Sequence, residues 1–198
     1  MTEKTWDERY DQDCDSSKEP ALFLKENIHR LPRGNALDIA MGTGRNAIFL
    51  ASHGYEVDAI DYSEVAVEKV RSFAQKESLS INAAQADLSD YQIAEGTYDV
   101  ILNFYFLERS LIPQIKKALK PGGMLLFETY TVEQPQYGRP HNPAYLLKPN
   151  ELLNSFMDLH IIYYHERVET NQAETKAIAS LLAKKPFWDA DSRRLSRF

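Results

Sequence analysis

The sequence predicts an α/β fold, a doubly wound, Rossmann-like sheet that is mostly parallel and ends in an antiparallel hairpin. Two observations carry this expectation. From residue 36 to residue 131, short apolar runs alternate with segments of helical periodicity, the arrangement that makes strands parallel and puts helices on both faces. Beyond residue 158, two β-prone runs are separated only by the polar "TNQAE". That connection is too short for a crossover, so the last two strands must run antiparallel. A chain of 198 residues with no repeat and no Pro/Gly/Ser linker reads as one domain.

The elements follow in order. "ALDIA" is a short apolar strand, broken by the turn "MGTG". "RNAIFLASHG" has helical spacing and stops at Gly54, and "YEVDAID" is a second strand ending on Asp61. "SEVAVEKVRSFAQKE" is a helix capped by Ser63, with Val67, Val70 and Phe73 at helical intervals. "INAAQAD" is a third strand ending at Asp87. "YDVILNFYF" is almost continuously apolar, as a strand covered on both faces should be. "LIPQIKKALK" is a helix stopped by "PGG", and "MLLFETYT" is the fifth strand. Residues 132–147, "VEQPQYGRPHNPAYLL", read as a long Pro-rich loop with no element of its own. "KPNELLNSF" is a short helix with Pro149 in its first turn, and "LHIIYYHERVE" and "TKAIASLLAKKP" form the terminal hairpin.

Composition narrows the function. The chain is 43% hydrophobic and 26% charged, with a formal net charge of −6. An acidic protein is repelled by a phosphate backbone, so nucleic acid is disfavoured as the main partner. The basic "SRRLSR" at the C-terminus reads as a solvated end. Cys14 is the only cysteine, so no intrachain disulfide and no cysteine metal site are expected. With neither an apolar leader nor a bilayer-length run, the expectation is a soluble, cytoplasmic protein with no membrane partner. His160 and His165 lie five apart on an expected strand, hence on opposite faces, and no metal site is expected. The oligomeric state is left open.

The turn Gly42-Thr43-Gly44-Arg45-Asn46-Ala47 fits the pattern GxGxxG/A, which serves NAD(P) and S-adenosylmethionine alike. Asp61, 17 residues after Gly44, suits a ribose in either case. Asp38 favours the second cofactor. A carboxylate inside a buried strand is costly unless paired, and a ligand ammonium group would pair it. Asp87 puts a further acid along the same crevice, suited to an adenine amino group. The terminal hairpin leaves no room for a second catalytic domain, and there is no YxxxK pair of the kind single-domain dehydrogenases use.

With "WDERY", "LDIAMGTGRNA", "DAIDYSEVAVEK", "NFYFLER" and "LKPGG" taken together, the chain resembles the class I S-adenosylmethionine-dependent methyltransferases over roughly residues 5 to 185. It is most similar to their small-molecule, tellurite-resistance-type branch. The resemblance implies one methyltransferase domain over residues 1–198, with a seven-stranded sheet of order 3-2-1-4-5-7-6. It implies methyl transfer from S-adenosylmethionine to a small-molecule acceptor by direct in-line displacement. Asp38, Ala40, Gly42, Gly44 and Arg45 would surround the methionine part of the cofactor, and Ala40 stands where the family most often has glycine. Asp61 would hold the ribose, and Tyr62 would pack on the adenine. Asp87, by side chain, and Leu88, by backbone, would frame the adenine, while Asn103 and Phe104 would face the methyl group. The segment 1–30, with Trp6, Arg9 and Tyr10, would fold over the cofactor.

For the acceptor, the expected contacts are Tyr105 and the 132–147 loop, through Arg139, His141 and Tyr145, with Tyr137 beside them. No catalytic residue is assigned. If the acceptor is a hydroxyl, Tyr10, Tyr105 and His141 are the candidate bases. The alternative is a non-catalytic S-adenosylmethionine-binding sensor or partner subunit, and a more distant one is an NAD-dependent dehydrogenase.

Overall fold

The computed structural model describes residues 3–12, 19–170 and 174–187, so Cys14 and the basic C-terminal cluster lie outside the described residues. Its strands are β1 (Asn35–Ile39), β2 (Glu56–Asp61), β3 (Ile81–Gln85), β4 (Tyr98–Phe104), β5 (Leu119–Tyr130), β6 (His160–Thr170) and β7 (Thr175–Lys184). They form one sheet of order β3-β2-β1-β4-β5-β7-β6. All neighbours up to β5 are parallel, and β7 runs antiparallel to both β5 and β6.

The helices are α1 (Glu3–Gln12), α2 (Leu22–Asn27), α3 (Arg45–Ser52), α4 (Glu64–Glu77), α5 (Ile112–Ala118) and α6 (Glu151–Ser155). One face of the sheet packs Val100, Leu102, Leu126 and Leu182 against Leu24, Leu50, Val67 and Val70 of α2, α3 and α4. The other packs Leu37, Ile101, Leu125 and Phe127 against Ile115 of α5, Leu152 of α6 and Phe156 just after it. This is the right-handed crossover rule at work: helices lie on one face while the chain winds outward from β1 to β3, and on the other between β4 and β5. The winding reverses between β1 and β4, which opens a crevice at their carboxyl ends, where α/β sheets place ligands.

Local chemistry explains the boundaries. The Ser63 hydroxyl caps α4 by accepting from the Ala66 amide at 3.2 Å. Val67, Val70 and Ala74 are buried, whereas Phe73 is 40% exposed. Phe73 follows Val67 by six residues, about 240° around the helix at 3.6 residues per turn, so it turns away from the face those residues share. Asn150, with φ of 60°, precedes α6, so Pro149 lies before the helix and not in its first turn.

Two further expectations change. The 132–147 segment contains short 3₁₀ turns at Gln134–Gln136 and Pro143–Tyr145, and Thr131 bridges to Leu147. It is also fastened. Gln134, 3% exposed, accepts from the Ala177 amide at 2.8 Å and donates to the Arg139 carbonyl at 3.0 Å. Arg109 donates to the Ala144 and Leu146 carbonyls, at 2.8 and 3.0 Å, and to Glu151. The histidines differ as well. A register shift between Ile161 and Tyr163 sets His160 opposite Lys184 and His165 opposite Ser180. Those partners are four apart on β7, so the two histidines share a face, separated by about 13 Å at 3.3 Å per residue. Among the described residues, no helix is long and apolar enough to cross a membrane.

Candidate cofactor site

Three backbone features build the turn after β1. Ala40, Gly42 and Gly44 all have positive φ, at 55°, 56° and 79°. Met41 N–H donates to the Ile60 carbonyl and Gly44 N–H to the Met41 carbonyl, both at 3.0 Å. Side chains press on the glycines. A Cβ on Gly44 would lie 2.5 Å from a Val70 methyl, and one on Gly42 would lie 3.2 Å from the Tyr10 hydroxyl. Ala40 carries its Cβ in a conformation that costs an L-residue roughly 1 to 2 kcal/mol, which explains why glycine is commoner there. Ala40→Gly should therefore stabilise the protein. Greater freedom of the unfolded chain offsets about 0.4 to 1 kcal/mol of the relief. The net gain of up to about 1.6 kcal/mol should raise the melting temperature by up to about 3 to 6 °C. A lower melting temperature would mean that the alanine methyl contributes packing outweighing its strain.

Asp38 faces α3. It is 1% exposed, and its carboxylate accepts from the Ala47 amide. Its Oδ2 is the buried side-chain oxygen that has no hydrogen-bond partner among the described residues. Burial pushes its pKa up to about 7; the Ala47 amide and Arg45 pull it down, and Asp61 pushes it up. Asp61, at the end of β2, is 6% exposed. Its Oδ2 accepts from Gly42 N–H at 2.8 Å and its Oδ1 from Ser63 N–H at 3.0 Å. Burial raises its pKa, and the Ser63, Gly42 and Tyr62 amides oppose that rise.

Helix α1 lies over this turn. Tyr10 stacks on Trp6 with ring centroids 5.8 Å apart, and the Tyr10 carbonyl accepts from Lys69 of α4. Asp7 accepts from the Ser63 hydroxyl and, at 3.4 Å, from Val65 N–H. The Arg9 side chain lies outside the described residues.

The other expected contacts divide. Arg45, the first residue of α3, has its guanidinium 5.7 Å from the Tyr105 ring centroid. Asp38, Gly42, Gly44, Arg45, Asp61, Tyr10 and Tyr105 are thus linked by contacts around one turn. Tyr62 is half-buried, and its carbonyl accepts from Gln85. Asp87 is exposed and caps its own turn, accepting from the Ser89 amide at 2.9 Å and hydroxyl at 2.7 Å, which hold its pKa below the ordinary value. Leu88 and Phe104 are core side chains, 5% and 6% exposed. Asn103 is buried and donates to the Phe106 carbonyl at 2.7 Å. Arg139, His141 and Tyr145 are exposed, and among the described residues their side chains make no hydrogen bond, ion pair or ring contact with the group around the turn. Tyr105 donates its hydroxyl to Glu128 at 3.1 Å, and burial and Glu128 raise its pKa well above the ordinary phenol value.

Sequence reasoning passed over Glu128, 3% exposed on β5. Its Oε2 accepts from the Ser180 hydroxyl at 2.5 Å and from Arg167 at 3.4 Å. An acid inside the apolar "MLLFETY" is the same signal that marked Asp38 in "ALDIA".

A sequence model of the tellurite resistance protein TehB matches residues 7–178, most of the chain. The chain belongs to the TehB family. A Haemophilus influenzae relative named probable S-adenosyl-L-methionine-dependent methyltransferase TehB is 27% identical over 164 residues, covering 75% of this chain and 56% of that protein. Eikenella corrodens hemagglutinin 1 is 29% identical over 180 residues, covering 82% and 58%. The chain therefore spans little more than half the length of these relatives. The crystal structure of Haemophilus influenzae TehB superimposes with a TM-score of 0.74 at 23% identity, covering 91% of this chain and 67% of that one. That likeness shows a shared fold, and the strand order of this sheet is the one the family resemblance implies.

Proposed function

We propose that this TehB-family chain is an S-adenosylmethionine-dependent methyltransferase acting on a small-molecule acceptor by direct in-line displacement. The observation that carries the reading is Asp38 Oδ2, a buried carboxylate oxygen without a partner beside the glycine turn. Such an atom suits a cationic ligand group, and the ammonium of an amino-acid-bearing cofactor is one. A dinucleotide offers that carboxylate no comparable amine. Asp61 supports the same reading. A carboxylate has about four acceptor positions, so the Gly42, Ser63 and Tyr62 amides still leave capacity for a ribose hydroxyl.

S-adenosylmethionine, when bound, supplies an electrophilic methyl group, so the protein's task is alignment rather than activation. Asp38 and Arg45 would hold the amino-acid part, Asp61 the ribose, and α1 with Tyr10 would cover the turn and exclude water. Orientation of this kind contributes roughly 7 to 11 kcal/mol in favourable cases. The acceptor side is the 132–147 segment and its exposed Arg139, whose planar fork suits an oxyanion.

Calorimetry with S-adenosylhomocysteine and NAD tests the cofactor. Heat with the first and none with the second is the expected result, and the reverse would overturn the reading. Turnover of methyl-labelled cofactor against a panel of small hydroxyl, thiol, amine and oxyanion acceptors tests the transfer. Binding without transfer to any of them would favour a sensor.

A further inference from the structure

Tyr105 is tied at both ends, and the ties run from the C-terminal hairpin to the cofactor crevice. Its hydroxyl is anchored on Glu128, which Ser180 and Arg167 of the hairpin hold in turn. Its ring meets Tyr130 at 5.2 Å, the Lys176 ammonium at 4.7 Å and the Arg45 guanidinium at 5.7 Å, all between centroids or to the centroid. Its backbone φ is 57°, a conformation that a tyrosine keeps only where surrounding contacts fix it.

Arg45 is where this chain of contacts arrives. It opens α3 next to the glycine turn, and its charge acts on Asp38. Yet the two form no ion pair: among the described residues Asp38 Oδ2 has no hydrogen-bond partner, and the Arg45 guanidinium lies over the Tyr105 ring instead. An arginine at the first turn of a helix would otherwise spread over many rotamers in solvent. Here a cation and a buried anion stand apart but adjacent. That spacing suits a zwitterion, whose ammonium goes to the acid and whose carboxylate goes to the guanidinium fork.

We propose that Tyr105 is a positioning residue for the cofactor: its ring, anchored through Glu128, holds the Arg45 guanidinium beside Asp38 to receive the carboxylate of the cofactor's amino-acid part. This rests on the methyltransferase reading, and it moves Tyr105 from the acceptor side to the cofactor side. It also gives the Glu128–Ser180–Arg167 group a purpose, since a buried charge so fully satisfied makes a rigid anchor.

The test compares two ligands by calorimetry: S-adenosylhomocysteine, which carries the zwitterion, and 5′-methylthioadenosine, which lacks it. Tyr105→Leu should weaken S-adenosylhomocysteine at least tenfold and leave methylthioadenosine within twofold. Tyr105→Phe, which keeps the ring but loses its anchor on Glu128, should fall between, weakening S-adenosylhomocysteine about threefold. Arg45→Ala should lose as much as Tyr105→Leu, and the double variant should bind no more weakly than Arg45→Ala alone, within twofold. If Tyr105→Leu does not fold, Tyr105→Met keeps the bulk without the aromatic face and carries the same expectation. Equal losses for both ligands, additive losses in the double variant, or wild-type affinity without the ring would each overturn the positioning role. A wild-type protein that binds methylthioadenosine and S-adenosylhomocysteine equally well would overturn it too. One that binds neither would instead overturn the methyltransferase reading beneath it.

Discussion

Asp38→Asn should make the cofactor-free protein more stable while weakening S-adenosylhomocysteine binding by about tenfold to 150-fold. The stability gain follows from the position of the titration. Burial sets the folded-state pKa at about 7, against an ordinary 3.8. Between those values the folded protein holds a proton that the unfolded chain has released, so stability falls as pH rises from about 4 to about 7 and then levels off. Three pH units correspond to roughly 4 kcal/mol, the cost above pH 7 of keeping that carboxylate ionised in the core. Asparagine carries no charge at any pH and keeps an oxygen for the Ala47 amide. The variant should therefore gain roughly 2 to 4 kcal/mol at pH 8, several degrees in melting temperature, and almost nothing near pH 4. Binding moves the other way, because a hydrogen bond to a charged group contributes about 1.5 to 3 kcal/mol. Thermal melts at pH 4.5 and 8 and calorimetry at pH 8 check both halves. A variant that binds S-adenosylhomocysteine like the wild type would remove Asp38 from the cofactor site. A melting temperature unchanged at pH 8 would mean that the wild-type carboxylate is already compensated.

The alternation that fixes the sheet was legible because burial on both faces leaves strands as apolar runs, and "YDVILNFYF" is apolar but for Asp99 and Asn103. The hairpin was legible from connection length alone. Features that depend on a single residue's backbone were not. The shift at Ile162 reverses the facing of everything before it on β6, and no side chain announces it. Ala40 shows in the sequence only as an alanine where the family most often has glycine, and its significance is its left-handed φ. The 3₁₀ turns of the 132–147 segment are too short to show a period, and their fastening by Gln134 and Arg109 joins residues 43 and 35 to 37 positions apart.

The site divides along the same line. Asp38 and Asp61 stood out because an acid amid apolar residues must have a reason, and both are buried beside the turn. Asp87 offered a similar sequence signal, yet it lies two residues beyond β3 and is satisfied by Ser89. Glu128 had as strong a signal as Asp38 and was passed over, because a strand at the far side of the switch point draws no attention until Tyr105 is seen to reach it.

Asp61→Ala should lose stability and cofactor affinity together, which separates this acid from Asp38. The carboxylate was expected to serve the ribose; it also anchors the turn, through Gly42 N–H at 2.8 Å and Ser63 N–H at 3.0 Å. Each is a hydrogen bond to a charged acceptor and contributes about 1.5 to 3 kcal/mol, part of which water recovers for amides near the surface. A loss of roughly 2 kcal/mol is the expected change in stability, about 4 to 8 °C in melting temperature. The ribose contacts and the distorted Gly42 amide should weaken S-adenosylhomocysteine at least tenfold. Asp61→Asn divides the two roles. Its oxygen can still accept from one amide while its NH₂ group opposes the other, so stability should fall between wild type and alanine. Its affinity should fall nearly as far as in Asp61→Ala, because an amide offers the ribose hydroxyls one acceptor atom and no charge. Melting curves and calorimetry on the three proteins decide the matter. If Asp61→Asn is destabilised yet binds like the wild type, the carboxylate builds the turn and the ribose is held by other groups.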